Sequence, residues 1–292
     1  MAWFARSRKA EPRAAPTRDA ALAAVDVPRV HFLIVGAMKC GTTTLRRALA
    51  AHPDVHVPEG EQHFFGNHRR YLSVWRGGTL DAAAFEETYA APLRSEKPLV
   101  GGKTPNYVIS TLTLERIQRF HPDTKMVLMV RCPVARAQSH WNHVLRQRDK
   151  GRRPAFLVAD SFAGHVDRDL AELAHARDPA AEIRGTNLLW RGMYATQLLH
   201  LRHFFPADRI FVGALEDLRA APEPFLHALC TFLGTDHVPA MVAAAAPGED
   251  RAPGHTERLS DADRARLRDV YADQVRDLEE LLGRKMPGWL AE

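Results

Sequence analysis

Apolar positions along the chain follow two different spacings, and the change from one to the other predicts alternating strands and helices. Continuous apolar runs are typical of strands buried on both faces of a sheet, and they occur at 31–35, 125–130 and 209–212. Segments between and after these runs have helical spacing, in which apolar residues recur every three or four positions. This alternation predicts an α/β fold with three layers, a central parallel sheet flanked by helices. The predicted helices cover 43–51, 111–120, 193–205, 222–233 and 260–282, and another begins near Val134.

The rest of the chain is predicted to form a leader, an insertion and a loop around one domain. Residues 1–28 mix basic residues with proline and alanine and are expected to be a disordered basic leader. Residues 29–292 are expected to form a single domain, because no linker-like composition divides them. Within that domain, a cluster of basic residues predicts a lid or insertion at 146–187. The stretch 239–258, rich in Ala, Pro and Gly, predicts a loop.

Composition and charge narrow the class of protein. A chain of 292 residues buries enough surface to fold without disulfides or a structural metal. Its three cysteines form no metal-binding pair, and its 15 histidines show no ligand spacing, so no metal site is predicted. No apolar run reaches the ~18 residues of a membrane span and no secretory signal is recognised, so a cytoplasmic protein is expected. The net charge of +5 favours an anionic ligand and leaves nucleotides and nucleic acids open.

A glycine-containing segment joins the strand at 31–35 to the helix at 43–51. Such a strand, loop and helix place backbone N–H groups and a lysine ammonium around one point, a geometry that binds anions. The spacing of Gly36 and Gly41 matches the P-loop of nucleotide-binding proteins, but Thr42 stands where a P-loop has its lysine. The alternative is an ordinary strand-to-helix turn. The candidate ligand-binding residues are Lys39, Cys40, Gly41, Thr42, Thr43 and Thr44.

Four ordered segments, which begin at Lys39, Pro58, Gly102 and Val130, resemble the sulfotransferases that use 3′-phosphoadenosine 5′-phosphosulfate (PAPS). The resemblance is to the heparan sulfate 3-O- and N-sulfotransferases and their bacterial relatives, and it extends from residue 31 to about 290. It implies a P-loop-like fold, PAPS as the sulfuryl donor, adenosine 3′,5′-bisphosphate as the product, and no metal. The Lys39 segment is similar to the 5′-phosphosulfate loop of that family.

The segment after Val130 resembles the part of the family that binds the 3′-phosphate of PAPS. Arg131 and Ser139 are eight residues apart, as are the arginine and serine that hold this phosphate in the family. An arginine can make a bidentate charged contact to a phosphate, and a serine adds a neutral donor. Cys132 stands where the family usually has aspartate. Since that aspartate is not expected to touch the cofactor, binding should survive the difference.

Two further segments resemble the acceptor side of the family's active site. The resemblance implies that Glu61 is the catalytic base, which takes the proton of the attacking hydroxyl or amine. His63 shares its orientation in an extended segment and could assist proton movement. Lys103 is expected to hold anionic groups of the acceptor or the transferring sulfate. Glu59 is the rival carboxylate.

The chain departs from the family pattern at two positions on the acceptor side. Gly66 stands where the 3-O-sulfotransferases carry aspartate, and Gly102 stands where the family has glutamate. The exact acceptor of those enzymes therefore cannot be carried over.

Two weaker features receive structural interpretations. Arg191 and Tyr194 resemble a stretch near the acceptor cleft of bacterial members, but they are interpreted as structural residues. Candidates for a loop over the cofactor are Arg251, His255 and Arg258, although a solvated loop is the preferred interpretation.

The predicted function is transfer of a sulfuryl group from PAPS to a hydroxyl or amine of a carbohydrate-like acceptor, either a small molecule or a glycan. The first alternative is a P-loop-type ATP-dependent kinase, which would need the lysine that Thr42 replaces. The second is a non-enzymatic, basic nucleic-acid-binding protein, suggested by the basic cluster at 146–153. That cluster lacks interleaved aromatic residues, so no nucleic-acid partner is expected.

Overall fold

Parallel strands form the centre of the part of the chain that the computed structural model describes. The described residues are 22, 25–151, 161–176, 187–246, 257–286 and 288–290. Their strands are β1 (Phe32–Gly36), β2 (Val55–His56), β3 (Trp75–Arg76), β4 (Thr79–Leu80), β5 (Leu99–Lys103), β6 (Lys125–Val130) and β7 (Ile210–Ala214). Five of them make one sheet in the order β2-β5-β1-β6-β7, in which every neighbouring pair is parallel. The two short strands β3 and β4 pair separately and are antiparallel.

Helices flank this sheet. Those in the described residues are α1 (Thr42–Ala50), α2 (His68–Ser73), α3 (Ala82–Phe85), α4 (Thr111–Phe120), α5 (Pro133–Asp149), α6 (Phe162–His175), α7 (Tyr194–Phe204), α8 (Leu215–Ala220), α9 (Pro222–Leu233), α10 (Pro239–Ala245) and α11 (Asp261–Leu282). α7 packs against α4 and α11, and α11 also packs against α5. A second group consists of α1, α10 and α9, in which α10 contacts both others. The predicted three-layer α/β fold is confirmed.

Most predicted elements lie within one or two residues of the observed ones, and one prediction is wrong. The helices predicted at 111–120 and 222–233 have these bounds in the structure. The stretch 239–258 was expected to be a loop, but its first part, Pro239–Ala245, is α10. Proline is well suited to the first turn of a helix and alanine to its interior, and Met241 buries its side chain completely.

The strand β5 was not predicted because glycines interrupt its apolar pattern. Its sequence is Leu-Val-Gly-Gly-Lys. Gly101 is required by packing against β1, since a Cβ atom at this position would lie 2.2 Å from the ring of Phe32. The phenylalanine ring therefore fills the space that a side chain on β5 would otherwise occupy.

The strands β1 and β6 lie side by side at the centre of the sheet, and each has another strand on its far side. All five residues of β1 and five of the six residues of β6 are buried. Since the carboxyl ends of parallel strands meet at the same edge of a sheet, the segments that follow β1 and β6 are neighbours. Ligands of open α/β sheets bind at this edge.

The predicted leader and insertion lie partly outside the described residues. Of the leader, residues 22 and 25–28 are described. Of the insertion at 146–187, the described residues include the end of α5 and all of α6. A disordered leader and a lid therefore stay predictions. No helix in the described ranges combines the length and the apolar character needed to cross a bilayer.

Candidate active site

A tight loop connects β1 to α1. Two of its residues have left-handed backbone conformations, Lys39 at φ 73° and Gly41 at φ 80°. Glycine adopts this conformation without strain. Packing also favours glycine at position 41, because a Cβ atom there would lie 2.5 Å from Cδ1 of Leu215. The N–H group of Ala37 donates to the carbonyl of Met129 at 2.7 Å, which ties the loop to β6.

The start of α1 presents backbone donors. No side chain among the described residues caps this helix, and its first backbone bond runs from the Leu45 N–H to the Gly41 carbonyl. The four N–H groups from Gly41 to Thr44 therefore have no acceptor within the helix. The positive end of the helix dipole adds to the attraction for an anion. Of the predicted threonines, Thr42 is buried, Thr43 is exposed and Thr44 is half-buried.

Cys40 faces the protein core. Its side chain is fully buried, and its Sγ lies 3.3 Å from the hydroxyl of Tyr194. Its N–H group donates to the carbonyl of Ala37 at 3.1 Å. Burial raises the pKa of the thiol to about 11. The thiol and the N–H group of Cys40 thus both have partners within the protein. Neither is a free donor for the predicted contact with the cofactor.

The predicted 3′-phosphate residues lie on the neighbouring segment. Arg131 follows β6, and its Nη1 donates to the carbonyl of Lys39 at 3.4 Å. Ser139 is half-buried on α5, nearly two turns after the helix begins. Between them, the N–H group of Cys132 donates to Oε1 of Glu216 at 3.0 Å. The structure therefore places Arg131 against the Lys39 loop, as a shared ligand would require.

The predicted acceptor-side residues form a connected group. Nζ of Lys103, at the end of β5, donates to Oε1 of Glu61 at 2.9 Å and to Oγ1 of Thr43 at 3.5 Å. Oε2 of Glu61 lies 3.3 Å from Nε2 of His63. The Lys103 side chain is only 6% exposed, whereas that of Glu61 is 32% exposed. Lys103 thus joins α1 to a carboxylate that solvent, and hence a ligand, can reach.

The segment that carries Glu61 is anchored by its neighbours. The carbonyl of Gln62 accepts hydrogen bonds from the hydroxyls of Thr104, at 3.1 Å, and of Tyr107. Phe64 is 1% exposed and packs into a cluster of aromatic rings. The anchored carbonyl of Gln62 and the buried ring of Phe64, which both follow Glu61 in the sequence, therefore fix the segment that carries the carboxylate.

Positive charges accumulate around the Lys39 loop. Burial and the nearby charges of Arg146 and Arg131 lower the pKa of Lys39. Burial and the charges of Lys39, Arg146 and Lys150 lower the pKa of His143 to about 4. Both groups resist protonation because they are partly buried and because their neighbours are cationic. A bound anion would relieve this repulsion, so the electrostatics of the cleft fit an anionic ligand.

Sequence reasoning missed the part of α5 that faces this cluster. His143 and Arg146 follow Ser139 by four and seven residues, which places the three on one face of α5. This spacing was the available signal, but Arg146 was assigned to the insertion instead. Arg191, interpreted as structural, is buried and donates to Oδ1 of Asn106. Burial, with the charge of Arg136, lowers the pKa of Arg191 to about 9.

The remaining candidates are less informative. Glu59, the rival carboxylate, is exposed. At Gly102 a Cβ atom would lie 2.9 Å from Cδ2 of Leu33, so a larger residue would need the leucine to move. Arg258 is exposed, whereas Arg251 and His255 lie outside the described residues. Within the described ranges, no group of three or more metal-ligating side chains could hold a metal ion.

Comparison with known sequences gives one family and several relatives. A model of the sulfotransferase family matches residues 32–239. The heparan sulfate glucosamine 3-O-sulfotransferase 3A1 of Mus musculus is 27% identical over 88% of this chain and 63% of its own length. The heparan sulfate glucosamine 3-O-sulfotransferase 6 of Homo sapiens is 30% identical over 70% of this chain and 52% of its own length. The chain thus spans less than two thirds of these relatives.

Comparison with solved structures agrees with the sequence matches. A sulfotransferase from Alicyclobacillus acidocaldarius superimposes with a TM-score of 0.65 at 26% identity, covering 90% of this chain and 99% of the other. The sulfotransferase domain of the Synechococcus PCC 7002 olefin synthase gives a TM-score of 0.52 at 18% identity, covering 89% of this chain and 96% of that domain. The second match shows a common fold only.

Proposed function

Because this chain belongs to the sulfotransferase family, we propose that it transfers a sulfuryl group from PAPS to a hydroxyl or amine of a carbohydrate-like acceptor. One observation carries the proposal. Arg131 contacts the Lys39 loop at 3.4 Å, while Lys103 connects the helix after that loop to Glu61. Groups suited to both ends of PAPS and a candidate base therefore share one edge of the sheet.

The residues around the Lys39 loop, which we call the donor side, fit a nucleotide that carries several negative charges. The uncapped start of α1 offers N–H donors, and Gly41 allows the left-handed backbone conformation with which the loop enters this helix. The lowered pKa of Lys39 reflects its burial and its cationic neighbours, and a polyanion would neutralise those neighbours. Arg131 and Ser139 are the residues that would hold the 3′-phosphate.

In the proposed mechanism Glu61, His63 and Lys103 form the acceptor side. Glu61 accepts the proton of the acceptor group as that group attacks sulfur. PAPS, when bound, supplies an activated sulfuryl group whose S–O bond to the phosphate breaks as the new bond to the acceptor forms. Lys39 stabilises the negative charge that develops on the departing phosphate oxygen. Lys103 and the start of α1 keep the acceptor side and the donor side aligned.

A carbohydrate acceptor is supported by the relatives, whose names describe them as heparan sulfate glucosamine 3-O-sulfotransferases. The basic residues at the end of α5, Arg146 and Arg148, would suit an acceptor that is itself acidic. Gly66 lacks the carboxylate that resemblance to those enzymes would lead one to expect. We therefore propose the class of acceptor, a sugar hydroxyl or amine, rather than a particular glycan.

A thermal unfolding experiment tests the donor part of the proposal. Adenosine 3′,5′-bisphosphate, the product of the reaction, should stabilise the protein, by about 2.7 kcal/mol at a hundred times its dissociation constant. Neither magnesium-ATP nor double-stranded DNA should do so. Stabilisation by magnesium-ATP alone would favour a kinase, and stabilisation by DNA alone a nucleic-acid-binding protein. Either result would contradict the proposed sulfotransferase.

A further inference from the structure

The junction between β7 and α8 contacts two segments of the donor side, the Lys39 loop and the start of α5. Leu215, the first residue of α8, fills the space under Gly41, where a Cβ atom would meet its Cδ1 at 2.5 Å. The next residue, Glu216, is half-buried, and its Oε1 accepts the N–H group of Cys132 at 3.0 Å. Two consecutive side chains thus contact two separate phosphate-binding segments.

The bond from Glu216 does what a side-chain cap would do for α5. Cys132 is the N-cap residue of that helix, and its own side chain makes no capping bond. A carboxylate near the start of a helix is favoured by the helix dipole and by the free N–H groups there. Because Cys132 follows Arg131 directly, the bond from its N–H group fixes the peptide plane that orients the Arg131 backbone.

We propose that Glu216 is a positioning residue for the 3′-phosphate of PAPS, an inference that rests on the proposed function. It acts through Cys132 on Arg131 and makes no contact with the nucleotide itself. Its other oxygen, Oε2, is buried and accepts no hydrogen bond from any described residue. A single hydrogen bond between Oε1 and the Cys132 N–H group therefore carries the effect.

A positioning role for Glu216 and simple electrostatics predict opposite changes in nucleotide affinity when the carboxylate is removed. A carboxylate beside an anion-binding site repels the anion, so removing its charge should tighten binding if charge alone mattered. If Glu216 instead holds Arg131 in place, removing it must weaken binding of a ligand that has a 3′-phosphate. The direction of the change therefore decides between the two.

The experiment compares two ligands by isothermal titration, adenosine 3′,5′-bisphosphate and adenosine 5′-monophosphate, which differ only in the 3′-phosphate. Glu216→Ala should weaken the bisphosphate on the order of tenfold, as expected for one hydrogen bond to a charged group. It should change the monophosphate less than about twofold. Glu216→Gln keeps an acceptor oxygen and should stay within about threefold of the native affinity for both ligands.

The matched control is Asp217→Asn. Asp217 is the adjacent carboxylate on α8, but its side chain is 45% exposed and pairs with Arg284 at 2.8 Å. This variant removes the same charge from the same helix without touching Cys132, so both affinities should stay at the native values. If Glu216→Ala does not fold, as judged by circular dichroism, Glu216→Met gives the same comparison with a side chain of similar length and no acceptor oxygen.

Each outcome has a separate meaning. Tighter bisphosphate binding in Glu216→Ala, equal losses for both ligands, or a Glu216→Gln protein as weak as Glu216→Ala would overturn the positioning role. A native protein that binds the bisphosphate no better than the monophosphate would instead contradict the proposed function. The two failures are therefore distinguishable within one set of titrations.

Discussion

The donor side and the acceptor side of the cleft treat charge in opposite ways. On the acceptor side, the one buried lysine is neutralised, since Lys103 lies 2.9 Å from a carboxylate oxygen of Glu61. On the donor side, cations face other cations, and the pKa values of Lys39 and His143 are both lowered by burial and by positive neighbours.

This difference fits the proposed function, in which an anionic nucleotide binds at the donor side. Clustered cations destabilise a folded protein unless an anion neutralises them. Under the proposed function, the donor side takes a ligand with several negative charges, whereas Lys103 and Glu61 of the acceptor side balance each other. In that proposal, an acceptor needs only a group whose proton Glu61 can take. Three predictions examine this contrast.

The largest effect is expected from Glu61→Gln, which removes the base and leaves the shape of the acceptor side intact. Sulfuryl transfer should fall by on the order of 10²- to 10⁴-fold, the usual contribution of a general base. The affinity for adenosine 3′,5′-bisphosphate should stay nearly native, because the charges of the donor side are unchanged. Radiolabelled sulfate transfer and isothermal titration measure the two quantities.

The control for this variant is Glu59→Gln, which removes an exposed carboxylate two residues away. Its activity should match that of the native protein. An active Glu61→Gln protein would dismiss Glu61 as the base. A loss of activity in Glu59→Gln of the same size would assign the role to the rival carboxylate.

A smaller effect is expected in the number of protons that the protein takes up when adenosine 3′,5′-bisphosphate binds. The pKa of His143 is about 4 in the folded protein, against an ordinary value of 6.5. Its contribution to stability is thus present above pH 6.5 and is lost as the pH falls towards 4. A polyanion that neutralises Lys39 and Arg146 should raise this pKa, so that His143 takes up a fraction of a proton on binding near pH 5.5.

Titrations of adenosine 3′,5′-bisphosphate in two buffers of different ionisation enthalpy measure this proton uptake. The ligand's own phosphate also titrates near pH 6, so the native protein is compared with His143→Gln, in which that contribution is unchanged. Uptake should fall in His143→Gln and stay native in the control His227→Gln, which alters an exposed histidine on α9. Equal uptake in all three proteins would show that His143 does not sense the ligand.

The smallest effect is expected from Cys132→Ser, within the donor side. Serine is a preferred N-cap residue, and Cys132 makes no capping bond at the start of α5. The free energy of unfolding should therefore rise by about 0.5–1 kcal/mol, while the affinity for the bisphosphate stays within about twofold. Urea denaturation and titration measure these. A large loss of affinity would mean that the thiol itself contributes to the donor side.

The fold could be predicted where side chains follow a simple period. The strand at 125–130 is almost wholly apolar, and the helix at 111–120 repeats its apolar residues regularly, so both were found with their observed bounds. The strand β5 escaped because Gly101 contributes no side chain to the pattern. Its reason for being glycine is the ring of Phe32, and no local sequence pattern reports such a distant contact.

The residues of the candidate site fall into the same two groups, those that a sequence pattern indicates and those that only a distant contact defines. Resemblance to known motifs suggested Glu61, Lys103 and Arg131, and the structure brings these residues to one edge of the sheet. It could not suggest Glu216, because its partner Cys132 is 84 residues away in the sequence. Whether an acidic residue after a strand faces solvent or a neighbouring helix start depends on how the strands are ordered in the sheet.

The order of the strands has one more consequence. Lys39 and Arg131 follow β1 and β6, and β6 pairs with its outer neighbour β7 at five residues, whereas Lys103 ends β5, whose outer neighbour β2 pairs with it at only two. Under the proposed function, the chemistry that every substrate would share is therefore built on the more fully paired strands, and recognition of the individual acceptor would lie towards the margin of the sheet. For protein engineering, this makes residues near β2 the place to exchange segments when a different acceptor is wanted, because nucleotide binding would be inherited unaltered.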